Sequence, residues 1–158
     1  MKPFSKMALV LLIVLPASNI QLFGQSTTHK VTLHVNTSDF DETNHDTTCH
    51  FGQAEGILNK DHTIEVSVGD FIIWDAVSSN APDTDEVWIT SIIHESGINV
   101  LGQNSLKDAG HLPGVVIGRV SSGEPGQIQK YSIEFKVFNN GTRRRGTFLI
   151  DPKIQVNN

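Results

Sequence analysis

Tyr131-Ser132-Ile133-Glu134-Phe135-Lys136-Val137 places aromatic and branched apolar residues at every second position and polar residues between them. An extended chain sends successive side chains to opposite faces, so this stretch reads as a strand with one face on a core and the other toward water. The same period recurs upstream. Val31, Leu33 and Val35 alternate with Thr32 and His34, and Ile64, Val66 and Val68 alternate with Glu65 and Ser67. Residues 71–77 and 87–93 are apolar on both parities, which suits strands that are covered on both faces or lie centrally in a sheet. Turn residues separate these runs: Gly69-Asp70 joins two strands, Asn139-Asn140-Gly141 makes a hairpin, and Ser122-Gly123-Glu124-Pro125-Gly126 forms an exposed loop. No segment sustains a helical stripe. Segments 36–61 and 97–114 are long, polar or Gly-interrupted, with room for a short helix or a functional loop. Seven or eight strands without a βαβ rhythm predict an all-β, antiparallel two-sheet sandwich with a Greek-key path.

The N-terminal residues follow different rules. Lys2 and Lys6 precede an apolar run over 7–15, which Pro16-Ala17-Ser18 then breaks. A membrane-spanning helix needs about 20 apolar residues, roughly twice this run. The pattern is that of a cleaved secretory signal peptide over residues 1–24, with a cut after Ala17 as the weaker alternative. The expected product is a single domain over 25–158, secreted or periplasmic, with no membrane anchor. Losing Lys2 and Lys6 takes the formal charge from −5 to −7. Such an acidic chain lacks the concentrated positive field that a nucleic-acid backbone requires. Its single cysteine, Cys49, rules out an internal disulfide and leaves either a buried inert thiol or one open to dimer formation.

Ile64-Glu65-Val66-Ser67-Val68-Gly69-Asp70-Phe71-Ile72-Ile73-Trp74 resembles the V-x-V-G-D-x-V-x-W hairpin of cupredoxin-like sandwiches in its turn glycine and strand tryptophan. A second resemblance, to inclusion-body proteins of the AidA/PixA type, adds the closing segment Gly146-Thr147-Phe148-Leu149-Ile150-Asp151-Pro152-Lys153-Ile154-Gln155-Val156. Together the two matches span about half of the mature chain. They imply sandwich construction and carry no catalytic chemistry; the expected secretory leader departs from the AidA/PixA pattern.

A cupredoxin-like hairpin raises copper as the first chemistry to consider. A blue-copper site takes a thiolate, two imidazoles and usually an axial Met. Here Met1 and Met7 fall in the leader, and 138–150 contains neither Cys nor His. The densest set of metal-competent side chains is His45-Asp46-Thr47-Thr48-Cys49-His50, which His62 could approach. The metal alternative is therefore a copper or zinc site at His45, Cys49, His50 and His62. Against it, adjacent Cys49 and His50 point to opposite sides of any extended strand.

Other clusters have structural and functional readings side by side. Asp39-Phe40-Asp41-Glu42 and Asp83-Thr84-Asp85-Glu86 offer alternating oxygens, but neither fits an EF-hand and solvated loops account for both. Arg143-Arg144-Arg145 could fork onto an anion or protect a sheet edge. Trp74 and Trp88 are expected in the core, unless Trp88 faces outward beside Thr90 and Ile92 as a stacking platform for a sugar or peptide. Hydrolase signatures such as Gly-x-Ser-x-Gly and His-Glu-x-x-His are missing. A hydrolase in the 97–114 region would need converging acids or a perturbed histidine. The leading expectation is a secreted, non-catalytic binding module without a cofactor, whose partner is a small ligand, glycan or protein.

Overall fold

A computed structural model describes residues 25–41 and 43–157. The expected signal peptide lies outside the described residues. The chain runs through β1 (Thr28–Val35), a one-turn helix α1 (His45–Thr48), β2 (Cys49–His50), a 3-10 turn (Asn59–Asp61), β3 (Thr63–Val66), β4 (Phe71–Ser78) and β5 (Asp85–Gly97). It continues through β6 (Ser105–Lys107), β7 (Val116–Arg119), β8 (Ile128–Asn139), β9 (Thr142–Arg143), β10 (Phe148–Ile150) and β11 (Lys153–Val156). Two sheets pack face to face. One has the order β2-β1-β4-β7; the other runs β3-β11-β8-β5-β6, with β9 and β10 also paired to β8.

The all-β sandwich is as expected, but its sheets are mixed. β1 runs parallel to β4 over eight register positions, from Thr28↔Phe71 to Val35↔Ser78, and β11 runs parallel to β3. Alternation fixes which side chains face inward and is silent on the direction of the neighbouring strand, so the purely antiparallel expectation is corrected here. The Gly69-Asp70 turn is also not a hairpin turn. β3 belongs to one sheet and β4 to the other, so the turn carries the chain across the sandwich.

The Asp70 carboxylate fixes that crossing. Its Oδ2 accepts the Ser67 N–H at 2.9 Å and the His29 Nε2–H at 2.8 Å, while Oδ1 accepts the Thr27 N–H at 2.8 Å. One buried side chain thus ties the turn to the start of β1. Burial opposes its ionisation, yet the N–H groups of Thr27 and Ser67 and the His29 imidazole outweigh that and hold the carboxyl below its ordinary value.

The core forms where the alternating faces meet. Val31, Leu33 and Val35 of β1 and Ile72 and Trp74 of β4 pack against Tyr131, Ile133, Phe135 and Val137 of β8. Trp74 donates its indole N–H to the Tyr131 hydroxyl at 3.1 Å, a bond between the two sheets in the middle of the apolar layer. Burial pushes the Tyr131 phenol well above its usual range, so it stays a neutral acceptor for that bond. β4 and β5 each lie inside their sheet, as their continuous apolar runs suggested. Asn140-Gly141 forms the two-residue turn of the β8–β9 hairpin, with φ of 46° and 74°, the pair of positive values that a type I′ turn requires.

Candidate functional site

The four candidate metal ligands end up on different surfaces. Cys49 pairs with Val35 and turns into the core at 3% exposure, whereas His50, next along β2, is exposed. Burial pushes the Cys49 thiol up to about 12, so it stays protonated at neutral pH. His50 stacks on His34 of β1 with ring centroids 4.9 Å apart, and its Nδ1 accepts the Gly52 N–H at 3.1 Å. Burial and the neighbouring His50 lower the His34 pKa against the opposing pull of Asp75. His62 stacks instead on Phe51 at 4.6 Å, and burial lowers its pKa. His45 opens α1 and lines a shallow cleft of about 230 Å³ with Phe148 and Leu149.

Asn59 draws the segments around this cluster together. Its side-chain amide donates to the carbonyls of Asp46 and Cys49 at 3.0 and 2.9 Å. These bonds tie the helix and β2 to the 3-10 turn through the backbone. Among the described residues no group of three or more His, Cys, Asp or Glu converges on a point where a metal could sit.

The other sequence clusters serve the scaffold. Asp41 caps its own turn by accepting from the backbone N–H groups of Thr43 and Asn44. Arg144 donates to the carbonyls of Thr37 and Phe40 and lies over the Phe40 ring, clamping the 37–40 segment. Its neighbour Arg143 donates to the Gly146 carbonyl, at 3.4 Å. The three arginines thus do not share a target.

The two tryptophans part company. Trp74 is in the core, as expected, but Trp88 is only half-buried and faces outward. A register shift in β5 between Ile89 and Ser91 changes the parity of the strand, which leaves Trp88 and Thr90 on the outer side and turns Ile92 into the core. The expectation that Trp88 packs in the core is corrected accordingly, and of the alternative outward row Trp88 and Thr90 lie outside while Ile92 does not.

Trp88 forms one wall of a cleft of about 340 Å³ between the end of β4, the start of β5 and the 113–115 segment. Asp75, Pro82, Asp85, Glu86 and Pro113 complete the walls that matter here. Glu86 Oε2 accepts the indole N–H at 2.8 Å, and Phe138 packs on the ring at 4.7 Å between centroids. Both contacts hold the indole in one orientation. Gly114 brings the facing segment close: its φ is +80°, and a Cβ there would lie 3.1 Å from Trp88 Cα, Cγ and Cδ1. The Gly114 carbonyl also accepts the Ile89 N–H at 3.2 Å, which pins the segment to β5.

The electrostatics of the cleft are one-sided. Asp85 is 7% exposed and receives the Thr37 hydroxyl at 2.7 Å, the Asn139 amide at 2.6 Å and the Asn140 N–H at 3.2 Å. The Thr37 bond leads these donors in overcoming burial, and the carboxyl is held below its ordinary value and ionised. Asp75 pairs with Lys30 at 2.7 Å. Among the described residues no lysine or arginine forms an ion pair with Asp85 or Glu86. Neither His nor Cys lines this cleft; its walls carry acidic residues, Ser78 and an aromatic surface.

At the level of sequence, no protein-family model and no curated protein matches the chain. Among solved structures, the inclusion body protein PixA from Burkholderia cenocepacia J2315 superposes with a TM-score of 0.60, covering 87% of this chain and 99% of that one at 13% identity. The chain has the PixA fold. The N-terminal domain of phage TP901-1 ORF48 overlaps 84% of this chain and 99% of its own at 12% identity, with a TM-score of 0.36. The similarity to PixA extends over the sandwich as a whole, consistent with the resemblance carried by the Gly69-Asp70 turn and the closing strand. At this identity it concerns the fold and assigns no role to Trp88 or to any other side chain.

Proposed function

We propose that this chain is an exported, non-catalytic binding module whose ligand site is the cleft walled by Trp88. The observation that carries the reading is the outward indole, oriented by Glu86 and Phe138 and faced by a glycine-dependent segment, whereas the other tryptophan, Trp74, is buried in the core. Ligand sites are concave, with apolar walls and a few placed polar groups, and this cleft is built in that way. Export is supported by the basic and apolar pattern of residues 1–24. The description of PixA as an inclusion body protein belongs to that protein, and the Trp88 reading does not depend on it.

The test is ligand binding followed by tryptophan fluorescence. Glycans, peptides and small amines are titrated into the purified protein, and the response should disappear in Trp88→Phe while the folded spectrum persists. Ligand binding that survives both Trp88→Ala and Gly114→Val would refute the cleft as the site. The copper or zinc alternative at His45, Cys49, His50 and His62, including a cupredoxin-like role, finds less support, since Cys49 and His50 face opposite ways. Saturable zinc or copper binding at micromolar concentration, lost in Cys49→Ala, would restore it.

A further inference from the structure

Resting on the cleft reading above, we infer that the Trp88 cleft takes a ligand bearing an ammonium or guanidinium group, seated between the indole and the carboxylate of Glu86. Three observations converge on positive charge. The first is the lining, which includes Asp75, Asp85 and Glu86 but no lysine or arginine. An approaching cation would supply the positive charge that the lining residues do not. The second is the balance of donors and acceptors. The indole N–H is already given to Glu86 Oε2, so the walls present carboxylate oxygens to an incoming group and repel an anion. The third is the indole itself, because tryptophan is the aromatic side chain that attracts cations most strongly.

Lys30 shows the chemistry working at the margin, since its ammonium already sits 2.7 Å from Asp75 at the cleft wall. A cleft of about 340 Å³ is at the small end of ligand sites, suited to one side chain or one small amine. The cation could be carried on a peptide or by a free amine, and both share this recognition.

Isothermal titration of the purified protein with four probes decides the matter: a capped tetralysine peptide, agmatine, maltotetraose and a capped tetraglutamate peptide. Tetralysine or agmatine should bind, and affinity should fall about tenfold or more in both Glu86→Gln and Trp88→Leu. Glu124→Gln, which removes an exposed charge elsewhere, should leave affinity unchanged and so separates the cleft from general attraction to an acidic protein. Binding of agmatine as tight as that of the peptide assigns a free amine; binding of tetralysine alone assigns a chain-borne one. Maltotetraose binding that depends on Trp88, without binding of either cation, overturns the charge inference and leaves the cleft reading standing. Cation binding unchanged in both cleft variants, or no binding of any probe, overturns the charge inference and the cleft reading together.

Discussion

Replacing Asp70 by asparagine tests whether one carboxylate holds the crossing between the sheets. Asp70 is 6% exposed and accepts three hydrogens through two oxygens: Thr27 N–H on Oδ1, and Ser67 N–H and His29 Nε2–H on Oδ2. Asparagine has the same shape but only one acceptor oxygen. Whichever way its amide turns, an NH₂ group meets at least one N–H, leaving a buried donor unpaired at a cost of about 1–3 kcal/mol. The surviving bonds also lose their assistance from charge, and the combined penalty comes to about 2–4 kcal/mol. That is a large fraction of the 5–15 kcal/mol or so that holds a domain of this size folded. Urea unfolding followed by near-ultraviolet circular dichroism measures it. The pH dependence adds a second arm. With its folded pKa depressed, Asp70 contributes fully above the unfolded value of 3.8 and loses the contribution as pH falls through the folded value. The gap between wild type and Asp70→Asn should therefore narrow in acid. A penalty below about 0.5 kcal/mol, or one of constant size down to the acid limit, would refute the role given to Asp70.

Three further outcomes are expected. Gly97→Ala should destabilise the fold by about 2 kcal/mol or more, since its Cβ would lie 2.1 Å from the Ile128 carbonyl oxygen at φ +81°. Gly126→Ala, with φ +85° and nothing within 4 Å, should cost about 1 kcal/mol; equal denaturation midpoints for the two would count against the steric account. Cys49 should resist a thiol-disulfide reagent in the native protein and react fully in urea, because it is buried with its thiol raised to about 12; rapid labelling without denaturant would contradict this. His34 and His62 both have folded pKa values below 6.5, so stability is complete above that value and declines as pH falls below it. Urea midpoints should drop on acidification through this window, less steeply in His62→Phe, and an unchanged midpoint would argue against it.

The strands were legible wherever one face is wet and the other dry. Tyr131, Ile133, Phe135 and Val137 all point inward as their spacing demanded, and the runs around Trp74 and Ile89 fall on interior strands. Partner choice was not legible. Nothing in the alternation of Val31, Leu33 and Val35 states that β1 lies parallel to β4, because either direction buries the same residues. The short strands β2, β6 and β9 contain two or three residues, too few to show a period. The candidate site was half legible. Trp88 and the Asp85-Glu86 pair were visible as residue types, but the register shift that turns Ile92 away from the face of Trp88 depends on pairing with β8. Gly114 could have been flagged only by knowing which segment faces the indole. The histidine and cysteine cluster misled for the opposite reason, since closeness along the chain says little about direction once Cys49 and His50 occupy successive positions of a strand.

The position of β11 has a consequence for the order in which the molecule is assembled. β11 lies between β3 and β8, so residues 153–156 form the bridge between strands separated by more than sixty positions of chain. Until they emerge, β3 has no strand to lean on and the larger sheet exists in two pieces. A ribosome delivering this polypeptide from its amino end therefore releases β3 well before the strand that joins it to β8, and the larger sheet closes by a pairing between distant parts of the chain.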